Sequence, residues 1–229
     1  MPHAKPITRR TSRCACLLFG LLTLLAAHPA AALPIGNVVV SELMFDPNGN
    51  DNGRQWIEIY NGESTPVDLS QYTLAWGRNN LANSVALDAV FLAPFTTFVI
   101  GGPNVGNYNA NPVYDQIHNF GPNLGDGGHG SQEDAVALIF EPTTTVVHTV
   151  VYGGNGIVTA FTDEQGATAV AVDLSGLGQG DSLEYQGGSS WLVQGAPTPG
   201  GVPVTVVPEP NTALLVGLGL IALSGARRR

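Results

Sequence analysis

The sequence predicts an all-β sandwich between two apolar terminal segments. Val, Thr, Ile and Phe recur in short runs, and Gly (29) and Pro (16) are abundant. No helical apolar period is sustained between residues 33 and 207. Short β-branched and aromatic runs bounded by turn residues read as strands. About eight such runs fit a sandwich or a barrel. No internal repeat suggests a solenoid.

The runs follow in order. Residues 37–44 (NVVVSELM) form a first strand, and 46–53 (DPNGNDNG) a turn, because Asn, Asp and Gly accept positive φ. Residues 55–60 (QWIEIY) form a second strand, 61–71 a connection and 72–76 a third strand. Residues 91–95 lead into a strand at 97–100 that ends at Gly101-Gly102-Pro103. The stretch 103–132 reads as one long loop of Asn, Gly and Pro. Residues 135–140 and 146–152 read as a hairpin around Glu141-Pro142-Thr143, and 168–174 as a further strand. Residues 182–185 and 191–193 pair across Gly187-Gly188, and 196–206 is a Pro/Gly linker.

Side chains alternate faces along a strand. Ile57 and Ile59 therefore share one face, and Trp56, Glu58 and Tyr60 the other. By the same rule Val39, Ser41 and Leu43 oppose Val38, Val40 and Glu42. Glu42 and Glu58 are then single acids on apolar strands. A buried carboxylate needs hydrogen-bond donors, and the turn amides after Asn61 are the nearest in sequence. The pattern favours structural clamps over chemistry.

The two ends read as addresses. Lys5, Arg9, Arg10 and Arg13 precede an apolar stretch at 14–27, and Ala30-Ala31-Ala32 offers small residues before Leu33. This is the build of a secretory signal peptide over 1–32, cut by signal peptidase. The apolar stretch falls short of the ~20 residues of a membrane span. At the other end, Pro208-Glu209-Pro210 precedes an apolar run closed by Arg227-Arg228-Arg229. As a helix, residues 211–226 reach ~24 Å, slightly short of a ~30 Å hydrocarbon core. The terminal arginines stay on the cytoplasmic side of the inner membrane. A 201–207 linker and a 208–229 tail follow a 33–200 body.

Charge divides along the same lines. The chain carries −9, yet seven of its nine basic residues lie in the ends. Between 33 and 207 only Arg54 and Arg78 face seventeen acids, a net charge of −15. Nucleic-acid binding needs the opposite sign and is excluded. The only cysteines, Cys14 and Cys16, lie in the signal, so the exported body has no disulfide and rests on its core.

Val38-Val39-Val40-Ser41-Glu42-Leu43-Met44, Gln55-Trp56-Ile57-Glu58-Ile59-Tyr60-Asn61, Pro66-Val67-Asp68-Leu69-Ser70 and Tyr72-Thr73-Leu74 together resemble the lamin-tail domain of bacterial secreted proteins. Gly180-Asp181-Ser182-Leu183-Glu184, Trp191 and Pro197-Thr198-Pro199-Gly200 resemble its closing motif. The departures are Gln71, where the family usually has Gly, Ser41, where it often has Asn, and the longer 103–132 loop. The resemblance implies an immunoglobulin-like β-sandwich, non-enzymatic, used for binding or tethering. The last residues resemble the PEP-CTERM sorting signal of Gram-negative bacteria. That implies export, transient anchoring in the inner membrane, exosortase processing, and association with extracellular polysaccharide or biofilm material.

Further residues bear on metal binding, catalysis and sugar stacking. The 46–53 loop is rich in oxygen ligands, but Ile59 stands where an EF-hand needs its bidentate Glu. A looser Ca²⁺ site on Asp46 and Asp51 is one reading and a plain turn the other. Asp126, His129, Glu133 and Asp134, with His118 nearby, are too loosely spaced for a metal signature. No Gly-x-Ser-x-Gly elbow occurs, and paired carboxylates for glycoside hydrolysis are a spatial matter. Trp76, Tyr108, Tyr114 and Trp191 could stack on sugars, or simply fill the core. The functional expectation is a non-enzymatic surface or matrix protein. The alternatives are a calcium-dependent adhesive module and a secreted hydrolase.

Overall fold

Among the described residues twelve strands run β1 (Val38–Met44), β2 (Trp56–Asn61), β3 (Val67–Asp68), β4 (Tyr72–Arg78), β5 (Asn83–Ala86), β6 (Phe91–Leu92), β7 (Thr97–Gly101), β8 (Gln116–Ile117), β9 (Glu133–Phe140), β10 (Thr145–Gly153), β11 (Ser182–Gly187) and β12 (Ser190–Gln194). This computed structural model describes residues 38–78, 80–121, 124–125, 133–153 and 161–203. The terminal helices expected at 1–32 and 208–229 lie outside the described residues, as do Asp126 and His129. Among the described residues no helix is long and apolar enough to cross a membrane.

Two sheets form the sandwich. The larger has the order β12-β11-β1-β2-β7-β8 and the smaller β10-β9-β4-β5; β3 and β6 pair separately. Every named ladder is antiparallel except β7–β8. The core draws Val40, Leu43, Ile57, Ile59, Phe98 and Ile100 from the larger sheet and Leu74, Trp76, Val136, Leu138, Val150 and Tyr152 from the smaller. Phe45 stacks on Tyr152 at 4.5 Å between ring centroids.

Alternation along β2 holds: Ile57 and Ile59 enter the core, while Trp56 and Tyr60 join separate outer clusters. Along β1 it fails. The β1–β2 register shifts between Val40 and Glu42, leaving Ser41 as an extra residue. Such a bulge reverses the parity beyond it. Val38 and Val40 therefore share the core with Leu43 and Phe45, against the strict alternation expected.

The two predicted hairpins form, as β9–β10 and β11–β12. Residues 168–174 do not make a strand; they contribute only isolated bridges, Tyr152 with Val172 and Thr162 with Thr168. The 61–71 connection contains β3, and the 103–132 loop contains β8. Asn61, fully buried, organises the first of these. Its Nδ2 donates to the carbonyls of Thr65, Leu92 and Ala93, and its Oδ1 accepts the Glu63 amide.

Candidate functional site

Glu42 and Glu58 face each other across β1 and β2, each 1% exposed. Their donors are not the amides after Asn61. Glu58 accepts the Ser41 hydroxyl at 2.7 Å, and the Gly200 amide at 2.6 Å. Glu42 accepts the Ser182 hydroxyl at 2.5 Å, the Thr198 amide at 3.1 Å and the Thr198 hydroxyl at 3.2 Å. The β1 bulge supplies Ser41, β11 supplies Ser182, and the segment after β12 supplies the rest. Burial pushes the Glu58 carboxyl up to about 8, with Glu42 and Glu184 adding to the rise. Burial raises Glu42 as well, against the pull of its donors. Both acids thus bond to the chain segment that follows β12.

A second constellation lies where the β1–β11 ladder stops. That ladder registers only Glu42 with Glu184 and Leu43 with Leu183. Beyond it, the Val40 amide donates to His148 Nδ1 at 3.2 Å, which places the imidazole proton on Nε2. Burial pushes the His148 pKa down to about 4, so the ring is neutral at neutral pH. It packs edge-on against Tyr185 at 4.6 Å and tilted against Trp191 at 5.9 Å. These rings line a cleft of about 1040 Å³ with Thr149, Glu164 and Ser190. Glu164 is already engaged, accepting the Thr149 amide at 2.6 Å.

The described residues of the other expected sites make local contacts. Asp46 Oδ1 accepts from Gln179 at 3.3 Å, and its carbonyl accepts the Gly180 amide at 2.8 Å. The Asp51 carbonyl accepts the Arg54 amide at 2.9 Å, and Asn50 Oδ1 the Asn52 amide at 2.9 Å. Among the described residues no three His, Cys, Asp or Glu side chains converge as a metal site. His118 packs on Trp76 and Phe120, and Asp134, 2% exposed, lies 3.8 Å from Arg78. Of the four aromatic candidates, Trp76 is in the core and Tyr108 lies under the Arg54 guanidinium at 4.0 Å. Tyr114 packs on the Met44–Trp56–Val99 cluster, and Trp191 alone of the four lines the cleft.

The family model for the Lamin Tail Domain matches residues 31–154. The chain belongs to the lamin-tail family. A second model, the PEP-CTERM protein-sorting motif, matches residues 206–229 and so covers Pro208, Glu209, Pro210, Arg227, Arg228 and Arg229. No curated protein and no solved structure matches the chain. Lamin-tail and PEP-CTERM segments are non-enzymatic types, and the sorting motif marks a chain for export and exosortase processing. The lamin-tail match stops just past β10, yet β11 pairs with β1, and residues 198 and 200 bond to the glutamates of β1 and β2. His148 gave no sequence signal: its partners lie 108 residues upstream and in the β11–β12 hairpin.

Proposed function

We propose that this chain is an exported, non-enzymatic surface or extracellular-matrix interaction protein of a Gram-negative envelope. In this reading residues 1–32 are removed by signal peptidase, 33–200 form the folded domain, 201–207 are a linker, and 208–229 are handled by an exosortase at the inner membrane. The observation that carries the reading is the sorting motif matched at 206–229 on a lamin-tail chain. A net charge of −15 between 33 and 207 supports it, because it disfavours polyanionic nucleic acid. The cleft at His148, Tyr185 and Trp191 supports recognition of extracellular polysaccharide. Aromatic rings beside polar groups suit sugar faces, and pockets of this kind are the default place for a ligand.

Intact mass spectrometry and fractionation of the exported protein test the reading. Loss of mass at both ends, with the remainder at the surface or in the medium, is the expected result. A mature protein found only in the cytoplasm defeats it. A retained Arg227–Arg229 end replaces exosortase processing with a permanent anchor.

A further inference from the structure

We infer that Glu42 and Glu58 together form a receptor for the chain's own Thr198-Pro199-Gly200 turn, and that this carboxyl pair latches the C-terminal strap onto the outer face of the six-stranded sheet. The geometry carries the inference. The two carboxyls sit at directly opposed positions on neighbouring strands. The strap brings three donors to them: the Thr198 amide, the Thr198 hydroxyl and the Gly200 amide. Pro199 between them has no amide to leave unsatisfied. The strap joins the end of β12 to the segment that precedes the sorting motif.

Among the described residues no cation is paired with either carboxyl. Arg54 lies over the Tyr108 ring and Arg78 beside Asp134. Glu184 is the third acid in the row, registered beside Glu42 on β11. On the far side of Glu58, β7 presents Val99, and the strap contributes no titratable side chain at 198–200. Two opposed carboxyls in a dry site do not both ionise. The Ser41 hydroxyl can accept as well as donate, so a protonated Glu58 keeps its bond to Ser41 while its other oxygen accepts the Gly200 amide.

The latch has a consequence for sorting that rests on the exosortase reading; the latch itself does not. Residues 201–205 separate the held turn from the matched motif, at most ~18 Å of chain. Releasing the turn adds residues 195–200, roughly doubling the covalent reach between fold and motif.

Hydrogen exchange on the purified full chain tests the latch, read as protection factors of the Thr198 and Gly200 amides. Burial, the strap included, holds the Glu58 carboxyl up at about 8 when latched, and release of the strap opens it to water and lowers it. Latching is therefore favoured by the protonated carboxyl and weakens as pH rises through about 8. Protection of both amides should fall between pH 6 and 8. Glu58→Gln should keep the protection and lose the pH dependence, and Glu42→Ala should lose the protection while the β9–β10 amides stay protected. Equal protection at pH 6 and 8, or unchanged protection in Glu42→Ala, overturns the latch. If the latch opens as described and processing of the tail in cells is unaltered in Glu42→Ala, the sorting consequence fails and the latch stands.

Discussion

On its inner face the six-stranded sheet presents Ile57, Ile59 and Ile100, all at 0% exposure, against the smaller sheet. On the outer face of the same strands Glu42 and Glu58 are as deeply covered, at 1%. The inner groups need only neighbours of suitable volume. The outer groups need donors at fixed points, and they draw them from the bulge, from β11 and from the strap. Burial alone therefore does not tell which chemistry holds a face. The apolar face tolerates exchange of one hydrocarbon for another; the acidic face does not tolerate loss of a single donor or acceptor.

The largest expected effect is on the inner face. Ile57→Ala removes hydrocarbon from a site with no exposure and should cost ~2–5 kcal/mol in urea unfolding, with an unchanged m-value. Protons act next, and here two buried groups pull in opposite directions. His148, depressed to about 4 from 6.5, makes the fold lose stability as pH falls through that window, because the unfolded chain takes the proton first. Glu58, raised to about 8 from 4.5, makes the fold lose stability as pH rises through its own window. Between 4.5 and 6.5 the two slopes oppose, each ~1.4 kcal/mol per pH unit at most. The His148→Gln variant should therefore lose stability on going from pH 4.5 to 6.5, and Glu58→Gln should gain it, each by up to ~2.7 kcal/mol relative to wild type. Identical pH profiles for the two variants would falsify this balance. Glu42→Ala, leaving the Ser182 and Thr198 donors without their acceptor, should cost ~1–3 kcal/mol at pH 7 by chemical denaturation.

The smallest effect separates the acids of the outer face from those of the 46–53 loop. Asp51→Asn is isosteric and keeps a side-chain oxygen acceptor as well as the carbonyl that accepts the Arg54 amide, so its melting midpoint should correspond to a change within ~0.5 kcal/mol. Millimolar Ca²⁺ should leave both proteins unmoved. A calcium site filled at 100 times its Kd would instead stabilise the wild type by ~2.7 kcal/mol.

Local patterns in the chain announced β2, the β9–β10 hairpin and the β11–β12 hairpin, since alternation and turn residues act over a few positions. The Ser41 bulge was not legible: one extra residue leaves no mark on composition but exchanges the faces of everything before it. β5 and β8 are too short to show a period, and β8 is held by neighbours distant in sequence. The 168–174 stretch has a strand's composition, yet only Val172 reaches a partner strand, at Tyr152. The acids at 42 and 58 stood out as isolated charges on apolar strands. Their partners did not, because Thr198 is 156 residues from Glu42 and Gly200 is 142 from Glu58. Sequence neighbours such as the Glu63 amide are taken by the Asn61 side chain instead.

Gln116, on the two-residue edge strand β8, donates from Nε2 to the Ala86 carbonyl at the end of β5 and accepts the Asp88 amide, both at 3.0 Å. One side-chain amide thus stands in for a strand between the outermost members of the two sheets. Exposed strand edges are templates on which further chains add, and the hazard grows where many copies share one surface. At this seam two backbone groups are already spoken for, so crowding there favours separate domains over fibres.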